Sequence, residues 1–308
     1  MTLKELSLAY KAGSLSKPEY IDRMHAVHAV WFDYAELLKA TDIAAIEITG
    51  DAVTMTTRRR GLKLAVDPYD ARLIPIEILN FGSYETEELR LVEALITDNS
   101  VILDIGANIG WYSLNLSLGR PKITIHAFEP IPGTYAYLTK NLKANGITRV
   151  TPHNFGFSNK NAVETFYFYP AGSGNASAAN LTGRDDVMEI KCRVQRLDDF
   201  VQAENLTVDF IKCDVEGAEL FVFEGGLQTL TTQKPVVFTE MLRKWSAGFG
   251  YHPNQLIELF KKIGYGCYII RHDRLAPFES MDEHTQETNF IFLHPDQHRD
   301  KIRQLVRN

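Results

Sequence analysis

The stretch that most constrains the fold is Val101-Ile-Leu-Asp-Ile-Gly-Ala-Asn-Ile-Gly110, followed by Trp111-Tyr-Ser-Leu-Asn-Leu116. Three apolar residues lead into Asp104, then a Gly-x-x-x-Gly turn, then an apolar-periodic run. That order predicts a buried parallel strand, a tight turn and the start of a helix. Glycines in such a turn let the backbone approach a ligand and point amide N–H groups at it. The dinucleotide fingerprint Gly-x-Gly-x-x-Gly would need glycine in place of Asn108 and Trp111, and Trp111 is too bulky for the close helix–strand contact the third glycine serves. The phosphate loop ending Gly-Lys-Ser/Thr is absent too, because Trp, Tyr and Ser follow Gly110. Asp104 would repel a pyrophosphate and suits a ligand that carries positive charge.

Beyond residue 101, strand-like and helix-like segments alternate, the pattern of a doubly wound, mostly parallel sheet. The segments read as strands after the first are Ile123–Glu129, Val150–Phe157, Val208–Asp214, Pro235–Glu240, Gly266–Arg271 and Asn289–Leu293. They make a seven-stranded Rossmann-like sheet whose last two strands run antiparallel to each other. Helices are expected over Thr86–Thr97, Pro132–Asn145, Glu216–Leu230 and Pro253–Lys262, the last with proline in its first turn and Gly264 at its end. An insertion of about residues 159–196 carries the aromatic strand Val163–Tyr169 and a small, polar, glycine-rich tip, Ala171–Asn180. That tip reads as a lid over a substrate or as a plain hairpin turn. Residues 1–85 read as an N-terminal extension of helices and short strands, and residues 86–308 as the main domain.

Charge and cysteine usage narrow the function classes. A net charge of −6 over 308 residues argues against an electrostatically driven nucleic-acid binder. Arg58-Arg59-Arg60 is the only basic triplet and reads as a solvated strand end or turn. Cys192, Cys213 and Cys267 lie far apart with no metal-binding spacing and read as buried small hydrophobes. No signal-peptide pattern and no apolar run of membrane-spanning length is visible, so a reduced, cytoplasmic, soluble protein is expected.

In open parallel sheets, ligands bind beyond the carboxyl ends of the strands. Four acids close apolar strands here: Asp104, Glu129, Asp214 and Glu240. Glu129 follows Asp104 at about the spacing at which an acid accepts ribose hydroxyls in nucleoside-binding folds. Asn154-Phe-Gly-Phe-Ser158 places Asn154 and Phe157 where they could meet an adenine edge, with plain buried strand as the alternative. In Asp214-Val-Glu-Gly-Ala-Glu219, Glu216 and Glu219 fit either a site or the first turn of a helix, where the dipole stabilises acids. Trp111, Tyr112, Trp245, Phe249 and Tyr251 are candidates for an aromatic platform at the rim.

The motifs Asp104-Ile-Gly-Ala-Asn-Ile-Gly-Trp-Tyr-Ser113, Ala127-Phe-Glu-Pro130 and Asp214-Val-Glu-Gly-Ala-Glu219, in this order, resemble the FkbM family of class I methyltransferases. The resemblance covers about residues 100–270; Gly156 stands where the family pattern has alanine. It implies S-adenosylmethionine as cofactor, with its ammonium and sulfonium charges, and methylation of a hydroxyl on a sugar or polyketide-type natural product. By resemblance Asp104, Gly106, Asn108 and Gly110 cradle the methionine part and Glu129 holds the ribose.

An alcohol needs its proton removed or its oxygen metal-bound before it attacks. Asp214, which its strand end would aim toward the cofactor's methyl group and which is therefore also a cofactor-binding candidate, is the favoured catalytic acid/base residue, with Glu240 and Glu216 beside it. Mg²⁺ held by Asp214 and Glu240 is the metal alternative, and His153 and His252 are alternative bases. A small-molecule or glycan acceptor is expected, a homo-oligomer is compatible with this reading, and N- or C-methylation and a non-catalytic binding role are its rivals.

Overall fold

The computed structural model describes residues 1–169, 177–179 and 187–306. In chain order the strands are β1 (Ile43–Ile48), β2 (Val53–Thr57), β3 (Lys63–Val66), β4 (Val101–Ile105), β5 (Thr124–Phe128), β6 (Val150–His153), β7 (Gly156–Phe157), β8 (Ala162–Phe168), β9 (Met188–Gln195), β10 (Phe210–Cys213), β11 (Val236–Glu240), β12 (Gly266–Arg271), β13 (Arg274–Phe278) and β14 (Asn289–Leu293). The central sheet has the order β13-β12-β14-β11-β10-β4-β5-β6. Its five strands from β11 to β6 are parallel, while β14, β12 and β13 pair antiparallel. This is the doubly wound, mostly parallel α/β architecture expected, with one strand more than seven.

The extra strand is β13. Arg271 pairs with Arg274, and the two residues between them, His272 and Asp273, have φ of 52° and 57°. A two-residue turn with both φ positive matches the twist of a hairpin but normally advertises itself as Asn-Gly or Asp-Gly. His-Asp gives no such signal, and Pro277 inside the strand argues against strand except at a sheet edge, which is where β13 lies.

Two other expectations change in detail. The region Val150–Phe157 divides between sheets: β6 extends the central sheet, whereas β7 pairs with β9 in a separate sheet of order β7-β9-β8. The helix expected over Glu216–Leu230 becomes Glu219–Glu224 and Leu227–Thr232, broken at Gly225-Gly226. Glu216 itself lies before the helix with φ of 54°, so it is not a first-turn acid.

The central strands are apolar on both faces because helices cover both. Ile102, Phe210 and Phe238 point into one core cluster, and their neighbours Leu103, Ile211 and Val237 into the other, as period-two alternation requires. The small antiparallel sheet β1-β2-β3 joins the first cluster through Ile43, Leu62 and Leu64. Side chains of the helix Pro132–Ala144 and its cap hold β3 in place: Asn141 Oδ1 accepts from the Ala65 amide and Asn145 Oδ1 from the Lys63 amide, both at 2.8 Å. The helices Lys17–His28 and Val30–Leu37, by contrast, bury no residue at all. Among the described residues no helix is long and apolar enough to cross a membrane.

Candidate functional site

One cavity of about 900 Å³ opens at the carboxyl ends of β4, β5, β10 and β11. Its floor is the turn after β4, with Gly106, Ala107 and Asn108; its walls carry Glu129, Gly156, Phe157, Lys212, Asp214, Glu216 and Glu240. The turn is shaped by a close approach. Gly106 has φ of 71°, and a Cβ there would land on the carbonyl oxygen of Asp214, so this position admits only glycine.

The expected site residues separate into two groups. Gly106, Asn108, Glu129, Phe157, Asp214, Glu216 and Glu240 line the cavity. Asp104, Gly110 and Asn154 are not among its lining residues. Asp104 is buried and its Oδ2 accepts from the Ser113 amide (3.0 Å) and hydroxyl (2.6 Å), so it anchors the helix Trp111–Ser117 beneath the turn. Gly110 has φ of 95° and leaves room for Leu138, whose Cδ1 would stand 2.7 Å from a Cβ. Asn154 Nδ2 donates to the carbonyls of Glu129 (2.8 Å) and Pro130 (3.1 Å), tying down the loop after β5. All three shape the site from behind.

Glu129 accepts from the Asn108 amide (3.1 Å) and the Ile131 amide (2.8 Å), one on each oxygen. Burial outweighs these bonds and pushes its carboxyl up to about 7. Asp214 is paired through Oδ2 with the buried ammonium of Lys212 at 3.4 Å, which also donates to the Gly106 carbonyl at 2.8 Å and lies 3.8 Å from Asp104. Burial pulls the Lys212 ammonium down, but the surrounding carboxylates Asp214, Asp104 and Glu85 more than offset it, so its net shift is upward. Asp214 Oδ1, meanwhile, is buried without a hydrogen-bond partner among the described residues.

Asp214, Glu216 and Glu240 each bring a carboxylate oxygen within 4.8 Å of the others. Three negative charges so close in a partly desolvated space cannot all be retained. Burial, followed by the charge of Asp214, pushes Glu240 up to about 10 and Glu216 well above its ordinary range. Raised to about 10, Glu240 holds its proton at neutral pH and donates a hydrogen bond in the free protein, and Glu216 is shifted in the same direction.

Glu219 lies behind the cluster, where its Oε1 accepts from the Val215 and Gly217 amides at 3.0 and 3.1 Å and fixes the turn that presents Asp214 and Glu216. The alternative bases are structural. His153 bonds His126 at 3.0 Å inside an aromatic cluster, and His252 caps the helix Pro253–Lys262 by accepting from the Asn254 amide. Trp111, Tyr112, Trp245 and Phe249 line the cavity, Trp111 and Tyr112 while also packing in the core, whereas Tyr251 turns away to bond Glu219 at 3.3 Å.

Sequence reasoning missed part of the wall. Arg72, Tyr84 and Glu85, all from the N-terminal 85 residues, line the cavity. Glu85 has φ of 42°, accepts from the Tyr112 hydroxyl at 2.7 Å, and is pushed by burial up to about 7. Nothing in its local sequence marks it. Lys212 was legible in principle, because a lone lysine inside the apolar run Phe210-Ile-Lys-Cys213 must be paired once buried. The tip of the insertion, where a lid or plain turn was expected, falls largely on residues 170–176 and 180, outside the described residues; Ser177, within them, donates to the Glu216 carbonyl at 2.8 Å.

Comparison with known proteins agrees with this geometry. The methyltransferase FkbM domain pattern matches residues 104–267, just over half of the chain. "Methyltransferase 1" of Beauveria bassiana is 33% identical over 146 residues, 42% of this chain and 59% of that protein. The 2-O-methyltransferase NoeI of Sinorhizobium fredii is 30% identical over 167 residues, 49% of this chain and 67% of the relative. The 31-O-demethyl-FK506 methyltransferase FkbM of Streptomyces tacrolimicus is 30% identical over 154 residues, 41% and 58% of the two chains. The chain thus spans about three-fifths to two-thirds of the length of these relatives. With its motifs, its fold and the matched span in agreement, the chain belongs to the FkbM methyltransferase domain family.

Proposed function

We propose that this chain transfers a methyl group from S-adenosylmethionine to a hydroxyl of a sugar, glycoside or polyketide-type small molecule, in the cytoplasm. The observation that carries the reading is the one cavity in which the glycine turn, Glu129 and the carboxylate of Asp214 converge at the strand ends. The donor set fits the cofactor. Each Glu129 oxygen accepts one backbone amide and keeps lone-pair capacity for a hydroxyl, which suits a ribose diol. The acid-rich wall suits a ligand that brings positive charge.

When bound, the cofactor supplies a methyl group on a sulfonium that leaves as a neutral thioether. The chain's own part is alignment and proton handling. Holding nucleophile and methyl in line is worth several kcal/mol, on the order of 7–11 for well-oriented reactants. Asp214, held through Oδ2 by Lys212 at the cavity wall, takes the hydroxyl proton. Glu240, still protonated, donates a hydrogen bond to the acceptor. Phe221, Trp245 and Phe249 give the cavity an apolar wall that would limit water around a bound cofactor. Asp214, Glu216 and Glu240 also offer the hard oxygen donors that Mg²⁺ accepts, which would polarise the acceptor oxygen. Transfer at hydroxyl oxygen is favoured because NoeI and FkbM, whose names specify O-methylation, are 30% identical to this chain over 167 and 154 residues.

The test is transfer of an isotope-labelled methyl from S-adenosylmethionine to a panel of hydroxylated glycosides and macrolides, with matched amines as controls. Label on a hydroxyl supports the reading; label confined to amines, or none with any acceptor, overturns it. A rate unchanged by EDTA leaves Asp214 as base without a metal.

A further inference from the structure

A further unexplained feature lies in residues 1–37, none of which lines the cavity. Among the described residues, eleven of the seventeen exposed large apolar side chains fall within the first 37 positions. The most exposed are Phe32 (71%), Met1 (66%), Leu8 (56%), Trp31 (56%) and Ile21 (54%). Scattered singly, such residues need no explanation, but ten of these eleven sit on three consecutive helices, Leu3–Lys11, Lys17–His28 and Val30–Leu37, each packed against the next.

The helices themselves are well specified. Thr2 with Glu5 and Ser16 with Glu19 form capping boxes at the starts of Leu3–Lys11 and Lys17–His28. The helix Val30–Leu37 reads Val-Trp-Phe-Asp-Tyr-Ala-Glu-Leu and leaves no residue buried. A short helix that is apolar nearly all round is stable in water only when something covers it.

We infer that the helices Leu3–Lys11, Lys17–His28 and Val30–Leu37 are the interface of a homodimer, covered by the same surface of a second copy of this chain. Two observations select that occupant. The first is area: the eleven side chains expose roughly 1,000 Å², against about 800 Å² per partner in a stable interface. The second is charge. Residues 1–40 hold five Lys/Arg and five Asp/Glu, so the segment is neutral although the chain carries −6. A helix made for a membrane surface has a Lys/Arg-rich polar face, and this one does not. A neutral patch of balanced charges meets its own two-fold image without repulsion, as an isologous contact requires.

The test is sedimentation equilibrium of the full chain from about 1 μM to about 100 μM, a range that spans ordinary dimer affinities. The expected mass is twice 34.9 kDa at the upper end. Trp31→Glu with Phe32→Glu, both exposed in the single chain, should give a monomer with unchanged circular dichroism. Should that variant fail to fold, hydrogen exchange of the wild-type chain at the two concentrations replaces it, with added protection at high concentration confined to residues 1–40. A wild-type monomer throughout the range overturns the proposal, as does a dimer whose added protection lies elsewhere. Binding of a monomeric chain to vesicles of anionic phospholipid would assign the patch to a membrane surface instead.

Discussion

The helix Trp111–Ser117 and the helix Val30–Leu37 are nearly equal in length and similarly rich in apolar side chains. Every residue of the first is buried and no residue of the second is. The first follows the glycine turn, is anchored by Asp104 through Ser113, and lies against the central sheet. The second has no sheet to cover. Apolar content is therefore the same statement in the two places with opposite consequences: in residues 104–267 it makes a core that positions a cavity, and in residues 1–37 it makes a surface. Residues 41–85 stand between these cases. They pack on the core through β3 and send Arg72, Tyr84 and Glu85 into the cavity wall.

Breaking the core half of the comparison should give the largest effects. Asp214→Asn keeps the shape and removes the proposed proton acceptor, so turnover should fall by about 10²–10⁴-fold while S-adenosylmethionine binding persists; steady-state rates with the best acceptor of the panel check this, and full activity would sink the assignment. Gly106→Ala forces a Cβ onto the Asp214 carbonyl at a φ of 71°, and should cost about 3 kcal/mol or more in urea unfolding.

Glu85→Gln probes the middle segment. Its carboxyl is raised to about 7 from an ordinary 4.5, so the contribution of Glu85 to stability is complete below pH 4.5 and is lost as pH rises through 7. The amide carries no such penalty. The variant should therefore gain on the order of 2 kcal/mol over wild type at pH 8 and little at pH 5, read from urea midpoints at the two values. Equal differences at both would refute a buried, raised Glu85. Ser16→Ala should be the mildest: loss of one cap costs about 1 kcal/mol locally. It should leave cofactor affinity untouched, because the helix it caps buries nothing; a weakened affinity would show that the N-terminal helices and the cavity are coupled.

How much was readable in advance follows the same division. The glycine turn, the strand-end acids and the alternation after residue 101 located the sheet and most of the cavity floor, because local pattern and tertiary role coincide there. Asp104, Gly110 and Asn154 were placed in the right neighbourhood, but which way a side chain points depends on partners distant in sequence, such as Leu138 for Gly110. Glu240 was found as a strand-end acid, yet its raised carboxyl follows from burial and then from Asp214 and Glu216 crowding it, a juxtaposition of strand ends and turn that spacing alone does not give. Glu85 was invisible for the same reason. β13 was lost because His272-Asp273 is an unusual pair for its turn.

The most direct test of the central claim is calorimetric titration of the purified chain with S-adenosylmethionine and S-adenosylhomocysteine, repeated with Glu129→Ala. The account predicts binding at about micromolar Kd, weakened at least tenfold in the variant, which corresponds to about 1.4 kcal/mol. Absence of binding to either ligand by folded wild-type chain, or an affinity indifferent to Glu129, would contradict the assignment of this cavity to the cofactor.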